Sequence, residues 1–166
     1  MKPNQLMAVV AGRGPAPCTG LRVGIAAATL SAAGAGLKLY GAVSLDAIAL
    51  AALPESAASK NEPLLVTADA RRKEVYWALY SGLNEHGVPV RIDGPGVMKP
   101  DELEEYLVNR NVHPRRIDTS ISAANLALLV EAELRSGTAS QDVIALYLRP
   151  ADAVEPKARI GKAVRG

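Results

Sequence analysis

Apolar runs and helical stripes alternate along the first third of the chain. Short apolar runs at residues 6–11 and 39–43, each followed by Gly or Ser, predict two buried strands. Residues 19–33 and 45–53 repeat apolar side chains at the spacing of a helix. This order of strand, helix, strand and helix predicts an α/β unit.

Polar residues and glycines mark the expected ends of these helices. Thr19 is the expected N-cap of the first helix, because its hydroxyl can accept a backbone amide of the first turn. Gly34 and Gly36 are expected to stop that helix after about residue 33. Ser44 is expected to cap the second helix, with Asp46 near its positive N-terminal end.

The rest of the chain predicts a second α/β unit after a polar segment at residues 54–63. The expected strands, helices and closing strand follow in the order 64–68, 74–80, 88–92, 99–108, 122–136 and 145–148. The polar segment is interpreted as a linker between two lobes. We therefore predict an N-terminal lobe at residues 1–60, a C-terminal lobe at 61–150 and a flexible tail at 151–166.

The helix predicted at residues 19–33 is apolar on most of its surface, and Arg22 is its only charge. Such a helix has to bury most of its sides, so it needs the chain's own sheet and a second element as well. Gly20 and Gly24 would allow another helix to approach closely. The helix is therefore either a central core helix or a subunit-interface helix. In the second case the expected contact residues are Leu21, Arg22, Ile25, Ala28, Thr29 and Ala32.

Composition and charge narrow the classes of protein that fit. Apolar residues make up 49% of the 166 residues, which is typical of a folded chain. The net charge of +2 predicts no strong electrostatic binding of nucleic acid by this chain alone. The uncharged run between Arg22 and Lys38 is too short and too rich in small residues to span a bilayer. A single cysteine is typical of a reducing compartment, so we expect a cytoplasmic protein without a membrane partner.

The sequence offers no convincing catalytic set. His86 and His113 lie in polar loops without a spaced second ligand, so each is interpreted as a solvated loop residue, and no metal or cofactor is expected. Cys18 lies near a predicted helix N-terminus, where a thiolate would be stabilised, but no activating base accompanies it. We interpret Cys18 as a small buried filler.

Two polar loops are candidates for binding. Residues 12–15, Gly-Arg-Gly-Pro, precede a helix as anion-binding loops do, but the later Gly and Lys positions of known phosphate loops do not match. They are interpreted as a tight strand-to-helix turn. Residues 69–74 place five charges in a hairpin turn. The ordinary interpretation is a solvated turn in which Asp69 accepts backbone amides, and the alternative is a functional surface.

Four segments together resemble the TsaB (YeaZ) family. Residues 12–26 resemble its signature G-x-G-P-G-[SP]-F-T-G-[LV]-R-[IV]-G, and residues 69–76 resemble D-A-R-[RM]-G-E-V-Y. Residues 41–47 are similar to G-V-S-[ST]-L, and residues 147–150 to the closing Y-[LV]-R. Order and spacing agree through most of the chain. The motif positions are Gly12, Arg13, Gly14, Pro15, Thr19, Gly20, Arg22, Gly24, Asp69, Arg71, Glu74, Tyr76, Tyr147 and Arg149.

The sequence departs from the family pattern at several points. Ala16 and Cys18 stand where the family has Gly and Phe. Lys73 stands where the family has Gly, which predicts a hairpin turn of different backbone shape. The family begins with a strand-hairpin-helix segment before the first motif, and we expect the chain to lack it. Residues 110–122 are expected to be a shortened stretch without the family's additional strand.

The resemblance implies an actin-like, Hsp70-type (ASKHA) α/β fold of two lobes, the N-terminal one incomplete. It also implies a non-catalytic subunit that pairs with TsaD, mainly through helices of the N-terminal lobe. Together with TsaD and the ATPase TsaE, such a subunit supports threonylcarbamoyl modification of the adenosine next to the anticodon in tRNA, and meets tRNA only through the complex. Family members also form homodimers, and the helix at residues 19–33 corresponds to one of their interface helices.

Two other functions stay open. One is an enzyme, either a glycoprotease of the M22 type or an ATP-dependent enzyme of the ASKHA superfamily, although the sequence offers neither a metal and nucleophile set nor a phosphate loop. The other is a free-standing dimerisation module without a role in tRNA modification. Binding to the cognate TsaD separates that module from the partner subunit.

Overall fold

The computed structural model describes residues 5–53 and 62–149, and within them it has six strands and four helices. In chain order they are β1 (Ala8–Gly12), α1 (Cys18–Ala35), β2 (Lys38–Ala42), α2 (Ser44–Ala52), β3 (Leu64–Asp69), β4 (Val75–Leu83), β5 (Pro89–Met98), α3 (Pro100–Asn109), β6 (Arg115–Asp118) and α4 (Ala123–Ser136). The predicted α/β class is confirmed. Most of the predicted linker, and all of the predicted tail, lie outside the described residues.

The strands form two sheets. β1 and β2 pair in parallel, with Val10 opposite Tyr40. The larger sheet has the order β5-β4-β3-β6, in which β4 is antiparallel to both neighbours and β6 runs parallel to β3. Val66 lies between Ala78 and Ile117 in this sheet. β3 is therefore a central strand, which agrees with its continuous apolar sequence.

Helix α2 joins the two sheets into one packed body. Its Leu45 and Ile48 pack against Val66 and Tyr80 of the larger sheet. Its Ala47 belongs to a second cluster with β2 and α4. α3 covers the other face of the larger sheet through a third cluster. Because α2 contributes to two cores, it positions the small sheet against the large one, while the predicted division into lobes near residue 60 stays a prediction.

The helix caps differ from the sequence-based expectation. α1 begins one residue before Thr19, and its N-cap is Pro17, which makes no side-chain hydrogen bond. Ser44 is the first residue of α2 rather than its cap, and it is buried. α1 continues through Gly34 to Ala35 and is capped by Gly36, the second of the two glycines expected to stop it, whose φ of 65° is the left-handed value that glycine adopts without strain. Asp46 lies in the first turn of α2, as predicted.

Two strand predictions were wrong. Residues 145–148 are irregular, because they lie beside the loop after β1, where Leu146 N donates to Arg13 O at 2.7 Å, instead of pairing along a strand. β6 was not predicted, because Arg-Arg-Ile-Asp is polar and lacks an apolar run. Its pairing with the buried strand β3 makes it a strand.

Candidate functional site

Three of the four family motifs meet at one pocket of roughly 340 Å³. The segment before α1 contributes residues 16 and 17, and α1 itself contributes Cys18 and Arg22. The β3–β4 turn contributes residues 70–72, and β4 contributes Tyr76. The fourth side is formed by residues 146–149. We call this the arginine pocket, because four arginines are among its lining residues, namely Arg22, Arg71, Arg72 and Arg149.

The segment at residues 140–149 reaches the pocket by docking on the small sheet. Gly41 N donates to Ser140 O at 2.9 Å, and a Cβ at Gly41 would lie 2.0 Å from the backbone oxygen of Asp142. The side chain of Asp142 accepts from Arg13 Nη1 at 2.6 Å. Only a glycine at position 41 leaves room for this approach, so the motif residues Arg13 and Gly41 hold the segment in place.

Arg22 is held at the pocket by Tyr147. Its Nε donates to the Tyr147 hydroxyl at 2.8 Å, and its Cζ lies 5.5 Å from the centroid of the Tyr147 ring. This hydrogen bond raises the pKa of Arg22 above its ordinary value, so the guanidinium stays charged. The contact joins the first motif to the last one.

The β3–β4 turn presents Arg71 and Arg72 in an unusual backbone conformation. Arg71, Arg72 and Lys73 have φ of 64°, 54° and 62°, three consecutive residues in the left-handed region that favours glycine. The Asp69 carboxylate accepts the backbone N–H of Arg71 at 2.7 Å, which confirms the predicted role of Asp69. Lys73 thus adopts a left-handed conformation that favours glycine, and backbone hydrogen bonds from Glu74 to Arg71 and from Ala70 to Glu74 close the turn around it.

Arg149 and Tyr76 complete the wall beside this turn. Arg149 forms an ion pair with Glu74 and also donates to the backbone oxygen of Ala70. The Tyr76 hydroxyl donates to Ala16 O at 3.4 Å, and burial raises the pKa of Tyr76. These bonds join the β3–β4 turn and β4 to segments that are distant in sequence, so the pocket walls are fixed by side chains as well as by backbone.

The structure assembles part of the predicted site and separates the rest. Arg22, Arg71, Tyr76, Tyr147 and Arg149 line the pocket together. The other motif residues serve the turns and helix around it or lie along α1, and they are Gly12, Arg13, Gly14, Pro15, Thr19, Gly20, Gly24, Asp69 and Glu74. Residues 12–15 form the predicted turn from β1 towards α1.

Sequence reasoning missed two pocket residues. The interpretation of Cys18 as a buried filler was wrong, because the thiol is exposed and lines the pocket. It stands at the first residue of α1, so it faces out instead of into the core. Arg72 was noted only as part of a charged turn, and the charge density of residues 69–74 was the available signal. His86 and His113 are exposed in loops, and no group of three His, Cys, Asp or Glu residues suited to a metal ion occurs among residues 5–53 and 62–149.

Helix α1 is covered on one side only within the described chain. Leu21 and Ala32 are buried, and Ile25 and Ala28 are half-buried. These four residues lie on the side of α1 towards the chain's own small sheet, whereas the other two expected contact residues, Arg22 and Thr29, are exposed. The uncovered side, which we call the outer face of α1, carries Val23, Ala26, Ala27 and Leu30.

The outer face is strongly apolar and exposed. Val23 is 64% exposed and Leu30 is 74% exposed, and a Cβ placed on Gly20 or Gly24 would meet nothing within 4 Å apart from its own helix. By length and composition alone, α1 is also the one helix in the described part of the chain that could cross a membrane. Core helices of soluble proteins can be equally long and apolar. Length and composition therefore do not determine whether α1 packs in a protein or crosses a membrane.

The fold indicates the structural class of the chain. The mixed α/β arrangement is that of actin-like proteins: YeaZ from Pseudomonas aeruginosa superposes with a TM-score of 0.67 at 21% identity, over 89% of this chain and 76% of that one. A family profile described as "TsaD: tRNA N6-adenosine threonylcarbamoyltransferase" matches residues 1–141. The chain belongs to this family.

Two curated relatives illustrate the similarity. An uncharacterised protein of Mycobacterium leprae is 42% identical over 100 residues, which cover 60% of this chain and 24% of the relative. The tRNA threonylcarbamoyladenosine biosynthesis protein TsaB of Escherichia coli is 37% identical over 104 residues, which cover 63% of this chain and 43% of TsaB. The chain therefore spans less than half the length of each of these relatives.

Proposed function

We propose that the chain is a non-catalytic, TsaB-like subunit that binds TsaD through the outer face of α1. In this proposal the pair, joined by TsaE, supports threonylcarbamoyl modification of the adenosine next to the anticodon in tRNA in the cytoplasm. The observation that carries the proposal is the exposed apolar side of α1, in a chain of the same family as the Escherichia coli biosynthesis protein TsaB.

Physical chemistry supports a protein partner at this face. Full burial of an aliphatic side chain contributes about 1.5–3 kcal/mol, so Val23 and Leu30 would be anchors of an interface. Gly20 and Gly24 would let a second helix pack closely against the backbone. The face carries no charge, since Arg22 turns away to Tyr147. An apolar helix of the partner fits such a surface.

A non-catalytic role fits the chemistry of the described residues. His86 and His113 are exposed in loops and form no pair of nucleophile and base among the described residues. The residues that line the arginine pocket include four arginines and no histidine or carboxylate that could serve as a general base. With a net charge of +2, the chain would meet tRNA only through the complex. We expect no peptide or ATP hydrolysis by the purified chain, and robust turnover without TsaD and TsaE would favour the enzyme alternative.

Co-purification with the cognate TsaD tests the proposal. Val23→Glu and Leu30→Glu each place a charge in the proposed interface with TsaD. Each should weaken TsaD binding about 100-fold or more, because an unpaired buried charge costs several kcal/mol. Val108→Glu is the matched control, since Val108 is 67% exposed on another helix. The proposal fails if folded Val23→Glu and Leu30→Glu variants bind TsaD as well as the control does.

The same face also fits a second copy of the chain, which is the basis of the dimerisation alternative. Light scattering without TsaD measures this directly. Self-association that is lost in Leu30→Glu, combined with no binding to TsaD, would favour a free-standing dimerisation module.

A further inference from the structure

Three carboxyl groups and two arginines lie close together where α2, α4 and the loop after β1 meet. Asp46 pairs with Arg91, and Asp142 pairs with Arg13. The third carboxyl group is that of Glu133 on α4, which is half-buried and feels the charges of both Asp46 and Arg13. Among the described residues, Glu133 has no ion-pair partner of its own. The cluster therefore holds one carboxyl group more than it has arginines.

The elements that pack on α4 bring few other charges to this carboxyl group. In the described chain α2 carries Asp46 as its single charged residue, and β1 has no titratable side chain. β2 contributes Lys38, which is exposed, and Tyr40, which is buried. On α4 itself, Glu131 and Arg135 pair with each other at the surface. A bound proton is therefore the simplest way to balance the charge of the cluster.

Glu133 also lies at the hinge from which residues 140–149 leave α4, and we call these residues the docking segment. Its backbone oxygen accepts the N–H of Ala139 at 3.1 Å, directly before the segment. The segment is then held by Arg13, whose Nη1 donates to Asp142 at 2.6 Å and whose backbone oxygen accepts another N–H of the segment at 2.7 Å. The unpaired carboxyl group thus stands beside the arginine that holds the docking segment on the small sheet.

The carboxyl groups of this cluster differ in the pH at which they ionise. Burial and the neighbouring Asp46 carboxylate raise the pKa of Glu133 to about 7, against the opposing effect of Arg13. Hydrogen bonds from the Ile144 N–H and from Arg13 lower the pKa of Asp142. Glu133 therefore changes charge near neutrality while Asp142 does not. Once ionised, Glu133 competes with Asp142 for Arg13, which weakens the ion pair that holds the segment.

We propose that ionisation of Glu133 releases the docking segment from the small sheet, so that residues 140–149 form a pH-sensitive switch at the wall of the arginine pocket. The proton passes to solvent, and Arg13 then pairs with Glu133 instead of Asp142. Release takes residues 146–149 away from the pocket that they line. This inference does not rest on the partner-subunit proposal, because the cluster and the segment both belong to this chain.

Hydrogen exchange on the isolated full chain tests the proposal, with rates corrected for the intrinsic dependence of exchange on pH. The Leu146 amide, bonded to Arg13 O, reports on the docking segment, and the paired amides of β3 report on global unfolding. The segment should open at least about 100-fold more often than β3. Its opening should become about tenfold more frequent between pH 6 and pH 8, because only the closed state retains the Glu133 proton in this range.

Three variants separate this switch from a merely structural role of the residue. Glu133→Gln should open the segment equally often at pH 6 and pH 8, whereas Glu131→Gln, the matched control on the same helix, should keep the wild-type increase. Asp142→Asn keeps the side-chain oxygen that accepts the Ile144 N–H but removes the ion pair with Arg13. It should open the segment about tenfold more often at pH 6 and lose most of the pH dependence.

Two results would overturn the proposal. If the segment opens only as often as β3 at both pH values, residues 140–149 have no released state of their own. If the opening of the segment is the same at pH 6 and pH 8 in wild type, or rises equally in Glu133→Gln, ionisation of Glu133 does not control it. A urea midpoint that depends on pH without any change in segment opening would assign Glu133 to global unfolding only.

Discussion

The hydroxyl of Tyr80 in β4 donates to Oδ1 of Asp46 in α2 at 2.6 Å, which links the helix to the larger sheet. Arg91 of β5 donates to both oxygens of the same carboxylate. Tyr80 is fully buried, and burial together with the Asp46 charge raises the pKa of the Tyr80 phenol, so it stays a donor. One short acidic side chain thus ties α2 to two neighbouring strands.

We expect Asp46→Ala to lower the free energy of unfolding by about 2–3 kcal/mol, because it leaves the partly buried Arg91 guanidinium without its carboxylate and the buried Tyr80 hydroxyl without its acceptor. Tyr80→Phe should cost only about 1 kcal/mol, since it removes one hydrogen bond and keeps the ring. Urea unfolding followed by circular dichroism measures both. Equal costs for the two variants would show that the ion pair adds nothing to α2 docking.

A methyl group at position 41 should undock residues 140–149. The added Cβ would lie 2.0 Å from a backbone oxygen, which cannot rotate away, so Gly41→Ala should cost about 2–4 kcal/mol. Gly24→Ala is the control, since nothing lies within 4 Å of that site and alanine favours a helix by about 0.5–1 kcal/mol. The measurement is thermal unfolding, and an unchanged Tm in Gly41→Ala would contradict the docking.

Glu133 should make stability depend on pH near neutrality. Burial and the nearby Asp46 carboxylate raise the pKa of Glu133 from 4.5 to about 7, against the opposing effect of Arg13. The folded chain therefore retains a proton that the unfolded chain releases, so this contribution is full below about pH 4.5 and is lost as the pH rises through 7.

Glu133→Gln should remove this pH dependence and raise the free energy of unfolding at pH 8 by about 1–2 kcal/mol, a value that allows for solvent screening of a half-exposed carboxyl. Urea midpoints between pH 5 and pH 8 measure it as the difference from wild type. Glu131→Gln is the matched control on the same helix, where the carboxylate pairs with Arg135 at the surface. Parallel pH profiles for wild type and Glu133→Gln would contradict the shifted pKa.

The exposed thiol of Cys18 should react in the folded chain. Because it is the single cysteine, one equivalent of a thiol reagent should be consumed, at a rate within about tenfold of that in urea. A buried filler would instead react only as fast as the chain unfolds. Stopped-flow absorbance distinguishes these two outcomes.

The sequence alone determined the elements whose signals are local. The continuous apolar stretch of β3 and the alternation in β4 predicted strands on both sides of the turn at residues 70–73. Gly137 ends α4 in the left-handed conformation, as a glycine after an amphipathic helix predicts. The family motifs also indicated the fold class, since their order and spacing are properties of the chain itself.

Tertiary structure alone decided which residues face each other. β6 is a strand only because β3 offers it a partner, and the outer face of α1 is the side that the small sheet leaves uncovered. The arginine pocket joins Arg22 to Tyr147, 125 positions away, across a backbone approach that Gly41 permits. Periodicity reports the spacing of neighbours along one element, whereas burial and pairing depend on the elements that pack against it, so these features were decided by packing.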